Sequence, residues 1–191
     1  MEKNILITGC IVLCVWGLQA CDITISNDDS STTPANENTV ATFDCNKQSK
    51  MKFREENSNI TLDGQCESVQ IVGKNNTFII ANTQSLQVSG TKNTVYVKQA
   101  KTVQLAGTGN KLHTDHTNSM AVAGMRNSVK ANTVNKIQVA GMLSKIDINT
   151  LGSINLAGLG LRAEYQQSVD STQPIQFHNS GVFNKAEQII Q

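Results

Sequence analysis

Between Glu67 and Ser168, hydrophobic and polar positions repeat with a period of 17 residues in six consecutive copies, without insertion or deletion. In each copy, mostly apolar residues occupy unit positions 3, 5, 12 and 14 and alternate with polar or small residues. This alternation predicts half-buried β-strands. The segment between the two runs usually has the form Gly-x-x-Asn, which favours a turn because glycine and asparagine tolerate a positive φ. Each unit is therefore predicted to form two strands and the bends between them.

Two positions mark this turn along the chain. Unit position 7 is glycine in all six copies: Gly73, Gly90, Gly107, Gly124, Gly141 and Gly158. Unit position 10 is asparagine in the first four copies: Asn76, Asn93, Asn110 and Asn127. It changes to Ser144 and Leu161 in the last two copies. The fixed spacing of these residues requires that every unit turn in the same way.

The constant unit length favours a coil over a series of hairpins, because hairpins need no common register. Inward positions advance by two residues along a face and by three at each bend, as a continuous coil requires. The sequence therefore predicts an all-β fold, a right-handed parallel β-solenoid of 17-residue coils with six full repeats at residues 67–168. The asparagines would then form a ladder of bonded side chains that ends before the last two coils.

Residues 1–20 have the composition of a lipoprotein signal peptide. Lys3 precedes an apolar run from Ile5 to Leu18 that is too short to span a bilayer comfortably. The run ends in Leu18-Gln19-Ala20-Cys21, which resembles a bacterial lipobox. The resemblance implies that Cys21 becomes the first mature residue and carries a lipid with acyl chains such as palmitate. An ordinary cleaved signal peptide is the alternative.

The predicted location follows from this segment. A lipid on Cys21 would anchor the protein to a membrane of the bacterial cell envelope, facing the periplasm. Asp22 resembles a signal for retention in the inner membrane. Residues 21–44 are rich in Ser, Thr, Asn and Asp, and are predicted to form a flexible polar tether. A disordered tail without a spacing role is the alternative for this segment.

Both ends of the repeat region are predicted to be capped. Residues 45–66 form the N-terminal cap, in which 59–64 resembles half of a degenerate repeat. Cys45 and Cys66 remain once the signal peptide and the lipid are accounted for, and they are predicted to form a disulfide in an oxidising compartment. A zinc site is the alternative, but no histidine lies near either cysteine. Residues 169–191 form the C-terminal cap or tail.

Two details of the C-terminal tail are also predicted. Asn184 is expected to begin a short helix whose apolar side includes Ile189 and Ile190. The late coils expose an apolar corner at Met125, Met142, Leu143 and Leu159, and the tail is expected to cover it. If the tail does not cover this corner, the corner is expected to bind a partner.

Charge and motif content argue against several functions. The formal net charge is +1, so the chain has no excess of cations with which to bind nucleic acid. The sequence has no Gly-x-Ser-x-Gly motif and no phosphate-binding loop, so neither an enzyme nor a cofactor is expected.

His113, Asp115 and His116 are metal-ligand types, but their spacing is loose and we expect no metal. A solenoid acyltransferase is a further alternative, but its repeat unit has a different length.

One outward column is nearly uncharged. Unit position 4 contains glutamines flanked by Ser, Thr and Ala: Gln70, Gln87, Gln104 and Gln138. Stacked glutamines can stabilise a sheet by bonding one another. Alternatively, this flat Ser/Gln/Ala strip is a docking face for an envelope protein, a glycan or a second copy of the chain.

The segment Cys66-Glu67-Ser68-Val69-Gln70-Ile71-Val72-Gly73-Lys74-Asn75-Asn76 resembles the exported bacterial domain-of-unknown-function 3060 family. The resemblance covers about residues 45–168 and is strongest over 59–114. It implies an exported β-repeat fold and brings no assigned activity or catalytic residue. The expected function is a non-enzymatic envelope scaffold or binding module. Self-assembly into filaments is the alternative, and the oligomeric state stays open.

Overall fold

Alternating apolar residues give every strand one side that must be buried, and the coil buries these sides together. The computed structural model describes residues 39–189, and there the chain forms a parallel β-solenoid of about eight turns. The predicted signal peptide, Cys21 and most of the predicted tether lie outside the described residues. In the described part, no helix is long and apolar enough to cross a membrane.

The strands follow one another along a single winding sheet, and all of their pairings are parallel. Their bounds are β1 (Thr39–Asp44), β2 (Lys50–Phe53), β3 (Ser58–Lys74), β4 (Thr77–Thr91), β5 (Thr94–Leu105), β6 (Lys111–Met125), β7 (Ser128–Met142), β8 (Lys145–Leu159), β9 (Arg162–Ser168), β10 (Gln176–Asn179) and β11 (Lys185–Gln188).

Corresponding residues of successive units lie directly above one another. Leu86 in β4 pairs with Val69 in β3 and with Val103 in β5, and the same register continues through β8. The predicted stacking of 17-residue coils is therefore confirmed, and hairpins within a unit are excluded. The long strands β4, β6, β7 and β8 pass through the shallow bends, and the sharp interruption falls at the Gly-x-x-Asn corner.

The apolar columns fill the interior from one end to the other. The residues at unit positions 3 and 5 are almost completely buried in all six units. At the N-terminal end the core is aromatic, because the ring of Phe53 lies 5.3 Å from that of Phe78 and 5.4 Å from that of Phe43. Met51 is buried beside them, as expected for the N-terminal cap. Each buried large side chain contributes about 1.5–3 kcal/mol to folding.

The asparagines at position 10 form the predicted column inside the solenoid. Asn93 and Asn110 are fully buried, and the side-chain Oδ1 of Asn110 accepts the backbone N–H of Asn93 at 2.9 Å. Nδ2 of Asn110 donates to the carbonyls of Gly90 at 3.0 Å and Ala106 at 2.8 Å. The column thus bonds mainly to backbone rather than only from side chain to side chain, because buried backbone groups at the corner need partners.

The position-7 glycines are packed against the glycine of the preceding coil. Gly107 has a φ of +103°, and a Cβ there would lie 2.0 Å from the carbonyl oxygen of Gly90. A side chain would therefore force successive coils apart at the corner. This close approach, together with the positive φ, explains why every unit has glycine at this position.

The N-terminal end begins earlier than the sequence predicts. β1 pairs in parallel with the first part of β3, so residues 39–44 belong to the solenoid and not to the flexible tether. The prediction was wrong here because Phe43 is the one large side chain of β1 that packs against the core, and the residues around it are mostly polar. The predicted disulfide joins Cys45 to Cys66, and both cysteines are buried. It links this first partial coil to the coil above it.

The C-terminal helix prediction is wrong. Residues 185–188 form β11, which pairs in parallel with β9, and β10 pairs with β8. The tail is a seventh, degenerate coil in which Leu161 and Asn184 are partners at a separation of 23 residues instead of 17. Asn184 resumes the ladder, since its Oδ1 accepts the backbone N–H of Leu161 at 3.0 Å. Extra residues near the Asp170 turn conceal this repeat in the sequence.

We predict that Gly107→Ala lowers the free energy of unfolding by about 3–5 kcal/mol, because the new Cβ meets the Gly90 carbonyl and the backbone is held at a positive φ. The measurement is urea denaturation followed by circular dichroism. Gly109→Ala is the matched control, since Gly109 also has a positive φ but its Cβ position lies 3.8 Å from the nearest side chain. We expect the control to cost about 1 kcal/mol. Equal losses in both variants would contradict the packing argument.

Candidate functional site

The Ser/Gln/Ala strip uses much of its hydrogen-bonding capacity internally. Nε2 of Gln70 donates to Oε1 of Gln87 at 3.4 Å, and Nε2 of Gln87 donates to Oε1 of Gln104 at 2.9 Å. Ala121 then interrupts the column before Gln138. The first three glutamines therefore stabilise the sheet, and this arrangement favours the structural interpretation of the strip over the docking interpretation.

The apolar corner of the late coils is exposed, and the C-terminal tail does not cover it. Instead the tail adds two side chains to it, of which Phe183 is 86% exposed. Leu143, in the preceding coils, is 55% exposed. We define the corner patch as the exposed large apolar residues at unit positions 8 and 9 of these coils: Met125, Met142, Leu143, Leu159, Val182 and Phe183.

The fold itself does not require apolar residues at this corner. The early coils have the same turn but carry polar residues there, such as Lys74, Asn75 and Lys92. Asn75 and Lys92 have φ values of +56° and +57°, and Leu143 and Phe183 have +54° and +57°. Leucine and phenylalanine in this region carry a steric cost of about 1–2 kcal/mol that glycine avoids. Leu143 and Phe183 are thus exposed apolar residues in a strained backbone conformation, and this placement gives no advantage in folding.

The corner patch continues onto the neighbouring face without a change in polarity. The alanines at unit position 6, Ala123, Ala140 and Ala157, border the position-8 residues Met125, Met142 and Leu159 along the same strands. Ala123 and Ala140 are exposed. The position-6 alanines and the corner patch therefore form one continuous apolar surface, which ends at the polar residues Gln138 and Asn155.

A groove of about 740 Å³ runs along a different face, between the outward columns at unit positions 13 and 15. Its walls combine aromatic, charged and amide side chains, including Tyr96, Lys98, His113, Asp115, Lys130 and Asn132. The rings of Tyr96 and His113 are stacked, with centroids 4.8 Å apart and planes 17° apart. On the opposite wall, Asn132 donates to Asp115 at 3.1 Å and Asn149 donates to Asn132 at 2.9 Å.

His113 is kept neutral in this groove. Partial burial lowers its pKa below the usual 6.5, and the positive charges of Lys130 and Lys111 lower it further. A neutral imidazole can accept or donate one hydrogen bond at each nitrogen without adding a charge. At neutral pH the stacked rings of Tyr96 and His113 therefore form a polar aromatic pair that carries no positive charge.

At the late end of the groove, the coils carry a row of partly exposed ion pairs. Nε of Arg162 lies 2.6 Å from Oε1 of Glu164, and Lys145 lies 3.4 Å from Asp147. Lys185 pairs with Glu187 in the last coil. Such exposed pairs contribute at most about 1 kcal/mol each. Their main effect is to leave this face without an excess of either charge.

The three metal-ligand types noted in the sequence do not form one site. His113 and Asp115 line the groove, whereas His116 lies in a separate shallow depression with Gln99 and Asn118. In residues 39–189, no three His, Cys, Asp or Glu side chains are grouped as a metal ion requires. The bend between unit positions 15 and 17 separates His116 from the other two residues.

Residues 56–110 match the family model described as "Protein of unknown function (DUF3060)". The predicted resemblance is confirmed over this span, which contains the first two complete units and part of the third. No curated protein and no solved structure matches the chain significantly. The family description names no activity.

Sequence reasoning located four members of the corner patch and missed Val182 and Phe183. The extra residues of the seventh coil hid these two from the 17-residue register. Gly181, three residues before Asn184, repeats the Gly-x-x-Asn corner. This motif could have revealed Val182 and Phe183 in the sequence. The groove was also missed, because its walls come from residues 17 positions apart that share no common chemical type.

We predict that the pKa of His113, followed by NMR, lies below 6.5 and rises when Lys130 is replaced by glutamine, since one repelling charge is removed. Lys111→Gln should raise it less, and Lys101→Gln on another face should leave it unchanged. In the unfolded chain His113 has the higher pKa and binds a proton more readily. The free energy of unfolding therefore falls as the pH drops from about 6.5 towards the folded pKa of His113. A pKa at or above 6.5 would contradict the assignment.

Proposed function

We propose that the protein is a lipid-anchored, non-enzymatic binding module of the bacterial cell envelope, which docks another protein through the corner patch. The observation that carries the proposal is the pair Leu143 and Phe183, which are exposed apolar residues held at a positive φ. Neither exposure nor this backbone conformation favours leucine or phenylalanine, and the early coils use Asn and Lys at the same turn. A bound partner would provide the missing burial.

The chemistry of the patch indicates the type of partner. Methionine, leucine and phenylalanine side chains that project from a rigid edge are typical of the apolar centre of a protein interface. Arg126 lies beside the patch, since its backbone N–H donates to the carbonyl of Met142 at 3.0 Å, and it would belong to a polar rim. The partner surface is therefore expected to be apolar at its centre and uncharged where it meets Ala123 and Ala140.

The described part of the chain begins at Thr39, at one end of the rod, and the last coils of the corner patch lie at the other end. Eight coils spaced by about 4.8 Å give a length of roughly 38 Å. The segment between Cys21 and Thr39 would reach at most about 60 Å when fully extended. Because this reach exceeds the length of the rod, a tether attached at Cys21 would let the corner patch meet proteins at the membrane surface or away from it.

The filament alternative is less well supported. β10 and β11 have four residues each, and Lys185 and Glu187 lie on the last strand. Short edge strands with charged residues discourage addition of another strand. The corner patch, moreover, lies on the side of the rod and not at its end. A docking partner on the side therefore accounts for the exposed residues better than end-to-end assembly does.

We predict that a photo-crosslinking amino acid at Leu143 or Phe183 gives a discrete heterologous adduct in cells, identified by mass spectrometry. The same probe at Lys92 is the matched control, since Lys92 occupies the corresponding turn position of an early coil with the same positive φ. Leu143→Ser should weaken formation of the Phe183 adduct by about tenfold, as expected for loss of one apolar anchor.

Two outcomes would overturn the docking proposal. Equal adducts from Leu143 and Lys92 would mean that the corner patch makes no specific contact. An adduct with the mass of two copies of this chain would indicate self-association in place of a partner. Because the adduct is identified by mass, these outcomes are distinguished in one experiment.

We predict that the full chain is recovered with the membrane fraction and that Cys21→Ser shifts it to the soluble or precursor form, because the acyl chains supply the membrane affinity. The measurement is fractionation after labelling with a radioactive fatty acid. Cys45→Ser is the control, since Cys45 is expected to carry no lipid. Labelling that persists in Cys21→Ser would contradict the proposed anchor.

A further inference from the structure

The groove has the dimensions of a site for a linear molecule. Its lining extends from Leu62 to Asn149, across six successive coils. Five coil steps of about 4.8 Å give roughly 24 Å. It is open along its length, so it suits a chain that lies parallel to the solenoid axis more than a compact ligand.

The backbone of the groove is not free to bind. Residues at positions 11–14 of neighbouring coils pair throughout β4 to β8, so their N–H and C=O groups belong to the parallel ladder. Recognition of an extended peptide usually relies on main-chain bonds to an unpaired strand edge. The groove offers no such edge, and a bound chain must be recognised by side chains.

The side chains of the groove are nearly balanced in charge. Two lysines, Lys98 and Lys130, face three carboxylates, those of Asp63, Asp115 and Asp147. His113 adds no charge at neutral pH, because burial and the nearby lysines lower its pKa. A polyanion or a polycation would therefore meet repulsion as well as attraction.

The remaining groups are amides and apolar surface. Asn132 and Asn149 already bond along their column, which fixes their orientation before a ligand arrives. Each amide nitrogen has a second N–H that these bonds do not use. Ile79 is 53% exposed and Tyr96 is 45% exposed, so apolar surface lies on the opposite wall.

We propose that this groove binds a linear, uncharged glycan that bears acetamido groups. Hydroxyl and acetamide groups would bond to Asn132, Asn149 and Asp115, and acetamide methyl groups would contact Ile79 and Tyr96. A β-1,4-linked pyranose chain advances by nearly one coil spacing per sugar, so that successive sugars meet equivalent positions of successive coils. The fixed amide column lowers the ordering cost of binding.

This site is independent of the corner patch, which lies on another face and is expected to bind protein. Glycan binding in the groove would make the solenoid an adapter between a glycan and a docked protein. Loss of either interaction should leave the other intact. Failure of one proposal is therefore distinguishable from failure of the other.

The test is isothermal titration calorimetry of the full chain in detergent with the β-1,4-linked hexamer of N-acetylglucosamine. We expect saturable binding at one site per chain. Asn132→Ala and Tyr96→Ala should each weaken it by about tenfold, the loss of one hydrogen bond or one apolar contact. Gln138→Ala, an exposed amide on the Ser/Gln/Ala strip, is the matched control and should bind like the unaltered chain.

The corresponding hexamer of glucose, which has the same linkage but no acetamido group, should bind at least about tenfold more weakly. Equal binding of the two hexamers would overturn the acetamido assignment, and absence of saturable binding would overturn the glycan site. Equal weakening by Gln138→Ala would place the glycan on the strip instead. Circular dichroism of each variant checks that Tyr96→Ala keeps the fold, and Asn132→Ala tests the groove without changing the aromatic stack.

Discussion

The contact between the Gly-x-x-Asn corners of successive coils is the constraint on which the rest of the structure depends. At this point one coil lies so close to the next that a Cβ on Gly107 would meet the Gly90 carbonyl, and only glycine fits. The buried side chain of Asn110 then satisfies backbone groups of both coils. A bend that left these groups without partners would cost about 1–3 kcal/mol for each group. The corner therefore fixes both the rise and the register of the solenoid.

Once the corner has fixed the register, the outward positions are free to vary, and they divide the rod into surfaces of different character. Glutamines bond along the early part of one face, as in the pair Gln87 and Gln104. Ion pairs such as Arg162–Glu164 occupy the last coils, at the end of the groove. The corner patch and the groove differ from these, because their side chains retain unburied apolar surface or unused hydrogen-bonding groups. This contrast is the basis for assigning binding to the latter two.

The two proposed binding surfaces share one physical advantage, which is rigidity. A parallel coil with continuous ladders changes little on binding, so less conformational freedom is lost when a partner or a glycan docks. Leu143 and Phe183 lie at the corner where the glycine backbones of successive coils are in close contact. The Asn132–Asn149 column is likewise held by its own hydrogen bonds.

The sequence by itself determined the coil, its 17-residue period and the glycine and asparagine corner, because each depends on local spacing that repeats without interruption. The Cys45–Cys66 bridge followed from the count of cysteines that remain after the predicted signal peptide and lipid site. Only the tertiary structure determined which strands close the two ends of the solenoid and where the groove and the corner patch lie. β1 and β11 pair with β3 and β9. The sequence of β1 is a weak strand former, and β11 is displaced from the 17-residue register by the insertion before Gln176. The groove and the corner patch arise from residues that are distant along the chain and adjacent only when the coils stack. Their position depends on the register between coils, and the composition of any single unit does not contain that information.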